Sequence, residues 1–400
     1  MMYFKSRTGY CCLVLLIISL SGLCFGQSKE LLSFPEVRIN LPDKQFRSLL
    51  RVRGQKMTLR DAELTIDGEQ TRIDDLHLRG KTTLSFRRKS FSVDLEEPVA
   101  IKMGDHTAML SKFDLLNLAM DRNFWHNRWS FLVMANLGIF PPVNTYCTLW
   151  INEEPQGIYL LTEKPQHAMV ALESPYMIRR GTDSGIEKEY VKTKSKEDIK
   201  KYRRQYRSLY NTGNLKAMEL YDHLGNAINT KSYFLWVGFN YFVMNGDYSD
   251  ELFLYINPSS GLYEVMAWDY DDLFKESPHE GKPARNEAYR DRYLFSLEDR
   301  LDKVIAADEL VYSKYGDALL GMLAVTDSTL LARTSQQVLQ ELRVLNSEPE
   351  IARASLYLDS QPFIIEDAAY DMERSMQFLY YRRAVLLNSL KQTIDGKKGK

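Results

Sequence analysis

From about residue 35 the chain alternates apolar and polar positions, a period of two that predicts strands. KMTLRDAELTIDGEQTRIDDLHLRG, residues 56–80, alternates on both sides of Asp67-Gly68, a pair that favours a tight hairpin turn. SFSVDL, residues 90–95, alternates again and puts Phe91, Val93 and Leu95 on one face. The spacing then turns helical in RNFWHNRWSFLVMANLG, which ends in Gly138, a C-cap residue. NTYCTLWINEEPQGIYLLTEK predicts two strands about a Glu-Glu-Pro-Gln turn. Strands, one helix and a further hairpin make an α+β lobe.

The second half is mainly helical. SYFLWVGFNYFVMNGD is apolar almost all round, the mark of a buried helix. ELFLYINPSSGLYEVMAWD predicts a short hairpin turning at 258–261. Amphipathic helices follow from about 295 to 391, with breaks near 346–349 and 361–362, and the tail 392–400 is expected to fray. No repeat and no Pro/Ser-rich linker separates the halves.

Composition narrows the function classes. The 400 residues are 44% hydrophobic and 26% charged with net charge −1, which gives no electrostatic footprint for nucleic acid. Lys5 and Arg7 precede an apolar run closed by Gly26 and Gln27, the plan of a signal peptide over 1–26, so export to periplasm, cell surface or medium is expected. The run falls short of the roughly 20 residues of a membrane span, and no integral span is expected in the mature chain. Cleavage removes Cys11, Cys12 and Cys24 and leaves Cys147 alone, so no internal disulfide can form. The basic stretch 187–211 reads as a solvated helical face; as a binding patch it would favour acidic or phosphorylated protein.

Two acidic loops carry the strongest chemical signal. MNGDYSDELFLY places Asp247, Asp250 and Glu251 after the buried helix, and AWDYDDLF places Asp269, Asp271 and Asp272 after the hairpin. If 252–256 and 263–268 pair as antiparallel strands, both clusters reach one rim. Carboxylates on converging loops suit a hard cation such as Mg²⁺, and a further one can deprotonate a hydroxyl. Singly, each Asp reads as a turn residue that bonds its own backbone; the pairing of the two loops is what favours function. In the first lobe, Arg79, Gly80, Lys81, Thr82 and Thr83, followed by Arg87, Arg88 and Lys89, combine glycine, hydroxyls and cations in a phosphate-cradle pattern. No H-E-x-x-H or G-x-S-x-G is present, and His126 reads as a core or capping residue.

Helix, acidic loop, hairpin and Asp is the order of a kinase active site. LRGKTTLSF with RRKSF, NLAMDRNFWHNRWSFLVMANLG, YCTLWINEEPQGIYLLTEK, MNGDYSDELFLY and MAWDYDDLF occur in the order of the spore coat protein H (CotH) type kinases, which the chain resembles over about 35–390. The resemblance implies an exported bacterial member with an atypical protein-kinase-like bilobal α+β fold. Its strand-rich N-lobe would span about 35–165 and its mainly helical C-lobe about 166–391. The implied activity is phosphate transfer from ATP, with Mg²⁺ or Mn²⁺, to hydroxyls of protein substrates. On that mapping Asp247 is the catalytic Asp and Asp269 binds metal, with Asp250, Glu251 and Asp271 as further ligands. Lys89 steadies the ATP phosphates, with Arg88 as its rival, and Glu163 lies at the hinge on the adenine side. Two departures stand out: Asp250 and Glu251 occupy the place where the family often has an Asn ligand, and FWHNRWSFLVMANL offers Lys89 no Glu partner. Two other readings are a non-catalytic scaffold that keeps the fold and a secreted glycoside hydrolase using two carboxylates.

Overall fold

The computed structural model describes residues 32–103, 106–250, 252–278, 289 and 291–398, the last six and Arg122 by backbone only. The signal segment, Glu251 and the end of the tail lie outside the described residues.

Eight strands form the first sheet: β1 Glu36–Asn40, β2 Glu63–Ile66, β3 Glu69–Thr71, β4 Ile73–Arg79, β5 Ser90–Met103, β6 His106–Leu116, β7 Asn144–Ile151 and β8 Glu154–Glu163. Their order is β3-β2-β1-β7-β8-β6-β5-β4, antiparallel except where β1 meets β7. The β2–β3 hairpin turns at Asp67-Gly68, both with positive φ, as that dipeptide predicts. Phe91, Val93 and Leu95 lie together in a core on one face, joined by Leu49 of α1 (Asp43–Arg51). The β7–β8 turn falls at Asn152-Glu153 rather than across Glu-Glu-Pro-Gln. A bulge between Leu149 and Trp150 brings Pro155 into the strand, where its missing N–H is tolerated.

Cys147, Leu149, Tyr159 and Leu161 point into that first core, while Tyr146, Ile158 and Leu160 point the other way into a second. Burial on both faces explains why β7 and β8 read as nearly unbroken apolar runs. The second core contains α2 (His126–Asn136) and the helices of the C-terminal half. These are α4 Lys196–Ser208, α5 Ala217–Gly225, α6 Thr230–Val243, α7 Arg300–Ala307, α8 Glu309–Val325, α9 Ser328–Leu345 and α11 Ile365–Lys398. The helix α6 is the buried one its composition predicts, and the backbone of α11 continues past 391 to Lys398. The chain is thus α+β, strand-rich first and mainly helical after.

A second, four-stranded sheet is divided in the chain by helices α4 to α6, ordered β10-β9-β11-β12 from β9 Tyr176–Arg180, β10 Ile186–Val191, β11 Phe253–Ile256 and β12 Tyr263–Met266. Its β11–β12 hairpin pairs Phe253 with Met266, the expected register. One sheet face buries Ile178, Leu254 and Val265 in the helical core, and the other packs Met177, Phe253 and Trp268 with α3 (Pro165–Ala171). The stretch expected as one helical face over 187–211 divides into strand β10, which pairs with β9, and helix α4, which starts after Ser195 caps it through the Asp198 N–H.

The C-terminal half returns to the first sheet through α10 (Pro349–Ala354), β13 (Leu356–Tyr357) and β14 (Gln361–Pro362). Ile158 N–H donates to Ser355 Oγ, and the Arg88 guanidinium donates to the carbonyls of Gln156, Leu356 and Ile158. Among the described residues, no helix is long and apolar enough to cross a membrane.

Candidate active site

The acidic loops are adjacent. α6 ends at Met244 in the left-handed conformation, and the chain beyond runs beside the segment after β12. Phe274 N–H donates to Val243 O at 3.0 Å, Lys275 N–H to Met244 O at 3.1 Å, and Gly246 N–H to Asp272 O at 2.8 Å. Three backbone bonds thus hold the Asp247 loop against the Asp269 loop, by strand ends and by this lateral pairing together.

Asp269 has φ +44°, a left-handed conformation that costs a non-glycine residue on the order of 1 kcal/mol or more and collects at functional sites. The surroundings over-determine it. Tyr270 N–H donates to Asn127 Oδ1 at 2.8 Å, and the Tyr270 ring lies edge-on to Phe131 and Phe239 in the core. Burial raises the Asp269 carboxyl above its ordinary range, opposed by Arg79, Arg179 and the Asp271 N–H. Nearby Asp250 adds repulsion.

Behind Asp269 lies the amino end of α2. Asp121 accepts from His126 N–H and Asn127 N–H, each at 2.8 Å, and from the Asn127 amide at 3.2 Å. It answers orphan donors at a helix start, where the dipole also favours an anion. Burial nevertheless pushes its carboxyl up to about 7, with Asp269 contributing. His126 is buried, as its setting in an apolar helix predicts, and its ring reaches Asp271 O at 3.4 Å.

A polar cleft of about 260 Å³ opens between the first sheet and the second, and shares Arg79 and Trp268 with a small pocket that Asp269 lines. Arg79, Lys164, Arg179 and Lys188 line it, with Trp268 and Tyr190. Arg79 pairs with Asp114 at 2.8 Å, Arg179 with Glu187 at 3.1 Å, and Lys164 with Asp94, which Lys112 also reaches at 2.5 Å. Four cations facing one cleft, three of them paired with an acid and Lys188 over the Tyr190 ring, suit a polyanion that exchanges for or bridges those acids.

Other sequence-selected residues are placed differently. Arg79 lines the cleft, but the following Gly80, Lys81 and Thr82 do not; they form a turn in which Lys81 and Thr82 are exposed. Gly80 has φ +102°, and a Cβ there would lie 1.8 Å from Thr83 Oγ1, so the turn requires glycine. Lys89 is 2% exposed and donates to Leu84 O at 2.7 Å, bracing the turn from beneath instead of lining the cleft. Burial and the neighbouring Arg53 lower its pKa to about 8. The reason is parity: Lys89 shares the strand face of Phe91 and Val93, whereas Ser92 and Asp94 face the cleft side. Arg88 is spent on carbonyls. Glu163 is the last residue of β8 and is buried; its carboxylate accepts from Val143 N–H at 3.1 Å and meets the His167 ring. Asp271 sits in the Asp269 loop and Asp250 in the Asp247 loop. Among the described residues, no three of His, Cys, Asp and Glu are grouped to hold a metal.

One device escaped sequence reasoning entirely. Arg180, fully buried, donates from Nε to Ser249 O at 2.7 Å and from a terminal nitrogen to Tyr233 Oη at 2.9 Å, and lies 3.5 Å from Asp299. Asp302 accepts from Tyr233 at 3.0 Å and Tyr248 at 2.9 Å. The network grips the loop that carries Asp247 and Asp250 at its middle residue. Its members come from β9, α6 and α7, too far apart in sequence to signal one another.

Comparison with known proteins bears on this geometry. The family model described as CotH kinase protein matches residues 76–315, well over half of the chain and inclusive of both acidic loops. No curated protein matches. Among solved structures, the Shewanella oneidensis MR-1 toxin–antitoxin system HipA, HipB and operator DNA complex aligns with a TM-score of 0.33 at 12% identity. That alignment covers 74% of this chain and 64% of the other, so the chain spans less than two thirds of it, and the likeness is too slight to carry an argument. The family match stands without it: the chain belongs to the CotH kinase protein family and has its kinase-like fold, a strand-rich lobe followed by a mainly helical one.

Proposed function

We propose that the protein transfers the γ-phosphoryl group of ATP to a hydroxyl of a protein substrate, with Mg²⁺ or Mn²⁺, in the cleft beside Asp269. The observation that carries this reading is the pairing of the Asp247 and Asp269 loops, with Asp269 lining a small pocket that shares Arg79 and Trp268 with the cleft of four cations.

The residues fit the nucleotide's phosphates: Arg79, Lys164, Arg179 and Lys188 supply positive charge from both walls. They also fit Mg²⁺, which takes one or two protein carboxylates and completes its shell with phosphate oxygens and water. Asp269 and the neighbouring Asp250 would hold it. Bound metal supplies neutralisation of charge on the transferring group. Asp247 orients the acceptor hydroxyl and takes its proton as the oxygen bonds to phosphorus and the bond to the departing ADP oxygen breaks. Asn127 and the Arg180 network hold the two loops at their working separation. Lys89 supports the Gly80 turn and does not contact the phosphates. Export from the cytoplasm is part of the same proposal, resting on the signal-peptide pattern of residues 1–26.

The test is incubation of the protein with Mg²⁺ and γ-labelled ATP, followed by mass spectrometry for phosphorylated Ser, Thr or Tyr. Asp247→Asn is expected to keep nucleotide binding and lose transfer by at least about a hundredfold, the contribution typical of a positioned base. Nucleotide binding without transfer by the unaltered protein marks a non-catalytic scaffold. Transfer undiminished in Asp247→Asn removes that residue from its role.

A further inference from the structure

The second sheet ends in a strand with one open side. β10 stands last in the order β10-β9-β11-β12, and among the described residues it pairs only with β9. A register shift between Ile186 and Lys188 breaks the alternation there, and Glu187, Lys188 and Tyr190 all line the cleft beside Asp269. Tyr190 packs on Phe253 with ring centroids 6.1 Å apart, and Lys188 lies 4.9 Å over the Tyr190 ring. An open strand edge therefore borders the place where phosphate would be transferred. Such an edge presents unpaired backbone donors and acceptors to another extended chain.

Just beyond β10 the charge becomes one-sided. Residues 192–207 hold eight Lys and Arg against two acids, in a protein whose net charge is −1. Both acids are occupied locally: Glu197 pairs with Lys200 at 2.9 Å, and Asp198 accepts from the Thr193 hydroxyl at 3.3 Å at the start of α4. Arg203 is taken by Glu189 at 2.5 Å. Lys192, Lys194, Lys196, Lys201, Arg204 and Arg207 are exposed and, among the described residues, form no ion pair. A merely solvated helix face would normally intersperse both signs. Here a ridge of one sign continues directly from an open strand edge that leads into the site.

We propose that the phosphate acceptor is an acidic polypeptide segment that lies extended along β10, its Asp and Glu side chains over the Lys192–Arg207 ridge. The strand edge supplies backbone pairing, the ridge selects acidic flanks, and the segment's hydroxyl residue enters the cleft past Lys188 and Tyr190. A polypeptide is favoured over other polyanions because pairing along a strand edge requires a peptide backbone. This deepens the phosphotransfer reading and rests on it for the word acceptor; the docking itself does not need nucleotide.

The experiment is fluorescence anisotropy of labelled Ser-containing 15-residue peptides with the full chain, without nucleotide. The peptides carry Asp/Glu flanks, Lys flanks, or neutral flanks. The acidic peptide is expected to bind at least tenfold more tightly than either other, more weakly as salt rises, and to slow amide exchange over 186–191. Lys192→Glu combined with Lys194→Glu and Lys196→Glu is expected to weaken it tenfold or more while Mg·ATP affinity stays unchanged. Equal binding of neutral and acidic peptides, an unaffected triple variant, or exchange protection confined elsewhere overturns the proposal. Tighter capture of phosphatidylserine vesicles or an oligonucleotide than of the acidic peptide also overturns it. Peptide binding with no Mg·ATP binding would keep the docking surface and defeat the phosphotransfer reading, so the two fail separately.

Discussion

Replacing Arg180 by Met tests how the Asp247 loop is held. The guanidinium is fully buried, 3.5 Å from Asp299, and donates at 2.7 Å to Ser249 O and at 2.9 Å to Tyr233. Met fills much of the same volume, so the packing loss is small and the electrostatic loss dominates. Asp299 is 3% exposed and Asp302 fully buried, so the substitution leaves acids in the interior without their cation. Removing one partner of a buried ion pair costs about 3–5 kcal/mol, a large share of the roughly 5–15 kcal/mol that holds a protein folded. The expected outcome is a fall of that size in unfolding free energy, read by urea denaturation at pH 7. In an Asp299→Asn background the same substitution should cost at least about 1 kcal/mol less, since the stranded charge is gone. A loss below about 1 kcal/mol, or strict additivity of the two changes, would refute the reasoning. Ser249 O also loses its donor, so the folded variant should show faster amide exchange over 247–250 than over β12.

Other expectations follow from particular groups. Burial and Asp299 push the Asp302 carboxyl up to about 7, against about 3.9 for an unfolded Asp. The folded state therefore holds a proton the unfolded state has released, and this stabilising contribution is full below about pH 4 and lost as pH rises towards 7. Asp302→Asn should remove its part of that slope, on the order of 1 kcal/mol per pH unit, in denaturation midpoints from pH 4.5 to 6.5. Asp121, raised for the same reason, leaves a comparable slope behind, and an unchanged profile would count against the assignment. Gly157→Ala should destabilise by about 2 kcal/mol or more in thermal or chemical unfolding, because φ is +95° and the new Cβ would meet Ser355 backbone atoms at 2.8 Å. Cys147 is buried and its thiol is raised by burial, so its peptide should stay unmodified by iodoacetamide in the native protein and react on denaturation, as mass spectrometry would report.

Local pattern carried much of the fold. The Asp67-Gly68 hairpin, the face of Phe91, Val93 and Leu95, the buried α6 and the β11–β12 register all follow from periodicity and turn chemistry. That is why both acidic loops were legible as neighbours. Lys89 was misplaced because a basic run gives no parity until the strand's core face is known. Once Phe91 and Val93 turn inward, Lys89 turns with them, and Lys164 takes the cleft. Lys164 was invisible as a site residue because it follows an apolar strand and precedes Pro165, a plain helix-start pattern. Asn127 and Arg180 were hidden for another reason. Their roles exist only through contacts made across 143 and 69 residues of chain, which no local window contains. Asp121 differs: its bonds reach only five and six residues ahead, so an Asp shortly before a helix start was a local signal that went unread.

Titration calorimetry of Mg·ATP into the full chain, Asp269→Ala, Arg79→Ala and Lys89→Met tests the central placement most directly. The cleft beside Asp269 predicts that the first two variants lose nucleotide affinity by tenfold or more, whereas Lys89→Met binds within a few-fold of the unaltered protein. Loss confined to Lys89→Met, with Asp269→Ala and Arg79→Ala binding normally, would place the phosphates under the Gly80 turn and contradict the account.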